Sequence, residues 1–170
     1  MTLHAFAEYL KYKWRAKNRH GIHSPFVYDL IDHVLLDKGG IAAASIIKSP
    51  GLALAYENLV SRIAAYYHYK RIVVLPVADE QPMPQQADLI LLGEVAPAQW
   101  LQLMDKYCEV LTNDGAVIVS HIHKTKEHSL AWKKICAHNN VRMSIDLYGI
   151  GLLFFKKEFK EQQHFILKYY

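Results

Sequence analysis

"RIVVLPVADEQPMPQQADLILLGE" spans residues 71–94 and holds two short apolar runs, Ile72 to Val77 and Ala87 to Leu92. Both have strand length and no polar alternation, so both are expected to be buried on two faces of a sheet. Between them Pro82 and Pro84 resist a helix. In a nucleotide-binding α/β protein, a strand like the first leads into a glycine-rich loop and a helix N-terminus that hold phosphate or carboxylate groups. Here it leads into Ala78-Asp79-Glu80-Gln81-Pro82, with no glycine before Gly93. A parallel crossover usually takes a dozen or more residues. Residues 78–86, if extended at ~3.3 Å each, still reach roughly 30 Å, enough to return along one strand length. The length therefore permits the two runs to be parallel neighbours joined without a helix.

On the N-terminal side, Leu3, Phe6, Ala7, Leu10 and Trp14 recur at steps of three and four, which predicts an amphipathic helix over about residues 2–17. Ser24-Pro25 reads as an N-cap followed by proline at the first helical position, opening a second helix that Gly39-Gly40 ends. Ser49-Pro50 reads as another helix start, with Leu52, Ala55, Leu59, Ile63 and Tyr67 on one face.

On the C-terminal side, Pro97 opens a helix that includes Trp100, Met104 and Tyr107. Asn113-Asp114-Gly115 reads as a turn, and Ala116 to Val119 as a third buried strand. Thr125 caps a helix that ends at Asn139-Asn140. Val141 to Leu147 and Leu152 to Lys156 read as a hairpin about Gly149-Ile150-Gly151, and His164 to Tyr169 as a further edge strand. The alternation of strand and helix closed by a hairpin predicts an α/β fold with a mainly parallel sheet. One domain over 1–170 is expected, with N-terminal helices over 1–69 and a sheet core over 70–170.

Composition narrows the class. Hydrophobic residues are 52% and charged residues 21%, ordinary values for a globular chain. No apolar run approaches the ~20 residues that span a bilayer, and residues 1–8 lack a basic-then-apolar leader pattern. A cytoplasmic location and no membrane partner are expected. Two cysteines, Cys108 and Cys136, suggest packed thiols, not a disulfide framework or a zinc site. The net charge of +4 is mild, but Lys11, Lys13, Arg15, Lys17 and Arg19 crowd one segment. With Tyr9, Tyr12 and Trp14 interleaved, that segment has the makings of a phosphate-contacting helix, but a solvated helix face with the aromatics buried is the preferred reading. Nucleic acid is therefore not the expected partner.

Three blocks carry a family resemblance. "AKNRHGIHSPFVYDLI" (16–31) resembles the N-terminal signature of a family of class I S-adenosylmethionine (SAM) dependent methyltransferases of Bacteroidetes-type bacteria. "AYENLVSRIAAYYHYKRIVVL" (55–75) is similar to the helix that leads into that family's first strand. "HKTKEHSLAWKKICAHNNVRMSIDLYGIGLLFFKKEFKEQQHFILKYY" (123–170) is similar to its end. The resemblance implies a Rossmann-like methyltransferase fold in which the first and fourth strands lie side by side, "ADLILLGE" (87–94) being the fourth.

It also implies losses. The family follows its first strand with an acidic residue and a glycine-rich turn around the SAM methionine moiety. It then has two further strands and an acid that holds the ribose. This chain passes from Leu75 through Asp79 straight to residue 87. Gly93-Glu94 stands where the family closes its fourth strand with aspartate, and Ser120-His121-Ile122-His123 where it places paired aspartates before Ile-His.

The resemblance thus implies a truncated fold with a degraded cofactor site. The remaining candidates at that site are Leu75, Asp79, Gly93, Glu94 and Ser120, with His121 and His123 as catalytic candidates. No cofactor is expected, or SAM if the family activity survives, and no metal. His121 and His123, two apart at a strand end, have the spacing for one-sided metal ligation, but His123 as an inherited family residue and His121 as an exposed loop residue are the preferred reading. His20 and His23 flank Gly21 and read as turn residues. The functional expectation is a non-catalytic protein acting through an interaction surface, by self-association or with a protein partner. The alternatives are an active methyltransferase with a rebuilt site and a small nucleic-acid-binding protein.

Overall fold

The computed structural model describes residues 2–36, 47–49, 51–76 and 83–169. Its helices are α1 (Leu3–Arg15), α2 (Pro25–Leu30, continued by a wider turn over Ile31–Leu35), α3 (Leu54–Tyr66), α4 (Trp100–Cys108) and α5 (Lys126–Cys136). Its strands are β1 (Ile72–Leu75), β2 (Ala87–Leu92), β3 (Leu111–Ser120), β4 (Met143–Asp146), β5 (Ile150–Phe154) and β6 (Gln163–Ile166). The six form one sheet in the order β1-β2-β3-β5-β4-β6. β1 runs parallel to β2, β2 to β3 and β4 to β6. Only β5 runs against its neighbours. The fold is mixed α/β with a mostly parallel sheet, and no helix among the described residues is long and apolar enough to cross a membrane.

The continuous apolar strands follow from two covered faces. Strand side chains alternate, so Leu89 and Leu91 of β2 face one layer while Ile90 and Leu92 face the other. The first layer is α2 and α3, through Val27, Leu30, Leu59 and Ile63, which also meet Ile118, Ile145, Leu152 and Phe154. The second is α4 and α5, through Trp100, Met104, Trp132 and Ile135, which meet Leu75, Val117, Val119 and Leu153.

The expected parallel pairing is present, with Ile72 opposite Leu89 and Leu75 opposite Leu92. β1 stands at the sheet's edge, paired among the described residues only with β2. Its N-terminal end is pinned by Asp88, which accepts from the Arg71 guanidinium at 2.6 Å and from the Lys70 and Arg71 backbone N–H groups at 3.1 and 2.9 Å. At the opposite edge, Lys17 bridges β6: its N–H donates to Ile166 at 2.8 Å and its carbonyl accepts from Lys168 at 3.1 Å.

Four local expectations change. The apolar stripe of α1 faces outward: Leu3 is 91% and Trp14 89% exposed, while Ala5 and Tyr12 are buried. Polar contacts fix that rotation. The Tyr12 hydroxyl donates to the Leu167 carbonyl at 2.6 Å, and the Tyr148 hydroxyl donates to Ala5 O at 2.7 Å. Ser49-Pro50 does not open a helix; α3 begins at Leu54. Gly51 is left-handed at φ 76, and the Ser49 N–H donates to the Glu57 carboxylate at 3.1 Å, making a turn instead. Asn113-Asp114-Gly115 does not precede the third strand as a turn but lies inside it, β3 starting at Leu111. β3 is continuous, and the excess residues between the Ala87–Leu111 and Leu89–Ala116 pairs bulge out with Asn113 and Asp114 exposed. The hairpin turn lies over 147–149, two residues earlier than expected. Asp146 Oδ1 accepts from Tyr148 N–H at 2.8 Å, Tyr148 takes φ 69, and Ile150 is already in β5. The expected stop at Gly39-Gly40 and most of the 78–86 connection lie outside the described residues.

Candidate functional site

The C-terminal ends of β1, β2 and β3 are where α/β folds bind ligands, and Leu75, Gly93 and Ser120 gather there. They are bonded to one another. Gly93 N–H donates to the Leu75 carbonyl at 2.8 Å, and the Ser120 hydroxyl donates to the Gly93 carbonyl at 2.7 Å. Ser49 and Gly51 lie against this edge. A Cβ at Gly93 would lie 2.5 Å from Ser49 Oγ and 2.8 Å from Leu75 O, so only glycine fits between the segment and the strand end. Ser49 is 3% exposed, and its hydroxyl has no hydrogen-bond partner among the described residues. Glu94 is exposed, and its carboxylate lies against Gly51. Asp79 lies outside the described residues.

The two catalytic candidates part company. His121 follows β3 in a left-handed conformation, φ 58, which breaks the strand alternation that would have put both imidazoles on one side. Its Nε2 bonds the Gly51 carbonyl oxygen at 3.0 Å, tying Gly51 to the end of β3. His123 instead enters a second polar cluster under α1. Its Nε2 is 2.7 Å from Asp146 Oδ2 and its Nδ1 3.1 Å from Ser129 Oγ, and both side chains of the His123–Asp146 pair are only 11% exposed. Ser129 Oγ is also 3.1 Å from His4 Nε2. The Tyr148 ring stacks on His123 at 5.7 Å. Among the described residues no group of three His, Cys, Asp or Glu side chains is placed to hold a metal.

Ser129, His123 and Asp146 have the composition of a nucleophilic triad. The geometry gives them another role. Ser129 is 6% exposed on α5, and its hydroxyl is shared between two imidazoles. It is an interior link that ties α1 and α5 to the turn after β3.

Above this cluster, α1 and α5 flank a cleft of about 480 Å³ whose far wall is β4 and β6. Trp132, Cys136, Phe165 and Ile166 give it an apolar lining, and Glu8, Lys11, Arg15, Lys133, His123 and Asp146 its charged and polar groups. Glu8 is partly desolvated, but the Lys11 ammonium at 2.7 Å outweighs that and holds its carboxyl below the usual range. Burial pushes the Cys136 thiol up to about 12, so it lines the cleft as an inert, protonated group. Of this cluster the sequence singles out only His123. Its partners come from residues 4, 129, 146 and 148, and no spacing links them.

The other sequence features stay apart from both places. His20 and His23 are exposed beside the short turn Arg19–Gly21. Arg19 pairs with Asp32 at 2.7 Å. No family model, curated protein or solved structure matches this chain.

Proposed function

We propose that the chain is a degenerate methyltransferase-like protein that acts by binding and not by methyl transfer. The observation that carries this reading is the closed sheet edge. Where the resemblance puts the SAM methionine moiety, Ser49 sits on Gly93, and Leu75, Gly93 and Ser120 spend their polar groups on one another. The parallel β1–β2 pair and the C-terminal antiparallel hairpin support the kinship that the sequence blocks suggest. Binding through a surface is supported by two features. α1 turns Leu3, Phe6, Leu10 and Trp14 outward, and β1 is an edge strand among the described residues.

Calorimetric titration with SAM and S-adenosylhomocysteine tests the reading. No saturable heat is expected up to about 1 mM ligand; a dissociation constant of about 10 μM, roughly −7 kcal/mol, would overturn it.

A further inference from the structure

The cleft between α1 and α5 lies apart from the edge at Leu75 and Gly93, and its charges do not balance. Its carboxylates are already engaged. Glu8 holds Lys11 at 2.7 Å, and Asp146 accepts from Tyr148 N–H at 2.8 Å and meets His123 at 2.7 Å. Its cations are not all engaged. Arg15 and Lys133 line the cleft from its two helical walls, and neither has an acidic partner among the described residues. His164 bonds Ser144 through Nδ1 at 2.7 Å, leaving Nε2 without a protein partner among the described residues. The unmatched groups are therefore two cations and one imidazole nitrogen, set around an apolar lining of Trp132, Phe165 and Ile166. At about 480 Å³ the space is of small-molecule size, within the ~300–1,000 Å³ typical of ligand sites.

We infer that this cleft binds a small amphipathic organic anion: a carboxylate or phosphate monoester carried on a flat apolar body. The anionic group lies between Arg15 and Lys133, and the body rests on the Trp132 side of the cleft. The buried His123–Asp146–Ser129 chain holds the floor in place by tying α5 to β4. This inference rests on the reading of the chain as a binding protein and names its ligand class.

The test is a titration of the full ¹⁵N-labelled chain with 1-naphthyl phosphate and with 1-naphthoate, with 1-naphthalenemethanol as the neutral control. Saturable binding is expected, with amide shifts at 8–15, 132–137 and 164–166. The neutral control is expected to bind about tenfold more weakly, as is Arg15→Glu/Lys133→Glu. Both of those residues are exposed, so the fold should survive; Lys133→Gln alone, expected about threefold weaker, serves if it does not. The two anions distinguish a phosphate site from a carboxylate site by their order of affinity. Equal affinity for the neutral control, unchanged affinity in the variants, shifts centred elsewhere, or no saturation would overturn the cleft assignment. A SAM heat in the same sample would overturn the non-catalytic reading instead, so the two failures are distinct.

Discussion

Gly93→Ala probes the closed sheet edge most directly. The added Cβ would meet Ser49 Oγ at 2.5 Å and the Leu75 carbonyl oxygen at 2.8 Å. Ser49 Oγ can rotate away. The Leu75 oxygen cannot, because it is strand backbone and already accepts from Gly93 N–H at 2.8 Å. Gly93 is not left-handed, so the cost is steric and not conformational. Overpacking of this kind costs about 1–3 kcal/mol. At about 2–4 °C per kcal/mol for a chain of this size, Tm should fall by about 2–12 °C, read by circular dichroism with urea midpoints alongside. Ser49→Ala removes a buried hydroxyl that has no partner among the described residues, so alone it should be neutral or stabilising by about 1 kcal/mol. In that background Gly93→Ala should cost at least about 0.5 kcal/mol less, because the Oγ contact is gone and Ser49 Cβ stands at 3.9 Å. An unchanged Tm in Gly93→Ala, or no coupling in the double-mutant cycle, would refute the seating of residue 49 on Gly93. The observation that carries the functional reading would go with it.

Asp88 predicts acid sensitivity. Arg71 above all, through its side-chain hydrogen bond, holds its carboxyl at about 2, so the stabilisation is full above its ordinary value near 3.8 and is lost as pH falls toward 2. Asp88→Asn should cost about 1–3 kcal/mol near neutral pH and flatten the acid limb of urea midpoints; an equally steep acid limb in the variant would count against the assignment. The outward rotation of α1 predicts that Leu10→Ser and Trp14→Ser change stability by less than about 0.5 kcal/mol, while Tyr12→Phe loses about 1 kcal/mol with its bond to Leu167. The opposite ranking would mean that the helix faces the other way. His123→Ala strands a buried carboxylate and should cost about 3 kcal/mol, with a coupling above about 1 kcal/mol to Asp146→Asn in a double-mutant cycle. The edge position of β1 among the described residues predicts self-association, with a light-scattering mass above 19.6 kDa at tens of micromolar that Val73→Lys brings down. A wild-type mass of 19.6 kDa with the 72–75 amides protected from exchange would mean that the edge is covered within one chain.

Much of the fold could be read because burial on two faces leaves a simple signature. Ile72 to Leu75 and Ala87 to Leu92 are continuous apolar runs because helices cover both sides of the sheet, and the length and prolines of the connection allowed the parallel pairing that the resemblance implied. The failures share a cause. At α1 the apolar period was read as the buried face, yet the rotation is set by the Tyr12 and Tyr148 hydroxyls, whose partners lie 155 and 143 residues away in the chain. At Asn113-Asp114-Gly115, turn residues signalled a break, but the neighbouring strand pairs on both sides of the excursion and keeps β3 whole. Local signals gave the element types; long-range hydrogen bonds set their orientation and ends.

The site was harder to read for the same reason, in stronger form. His121 and His123 looked like one motif because two residues on a strand share a face. A single left-handed residue at 121 sends one imidazole to Gly51 and the other to Asp146, so the apparent pair becomes two unrelated ties. The tie at His121 holds Gly51 beside the sheet edge where Ser49 meets Gly93. The tie at His123 anchors the floor of the α1–α5 cleft. His121 is held through Nε2 and His123 through both ring nitrogens, and each fixes a wall that decides where a ligand fits. Ser49 closes the sheet edge at Leu75 and Gly93, while the α1–α5 cleft on the sheet's flank is open, with Arg15 and Lys133 lacking an acidic partner among the described residues above an apolar lining.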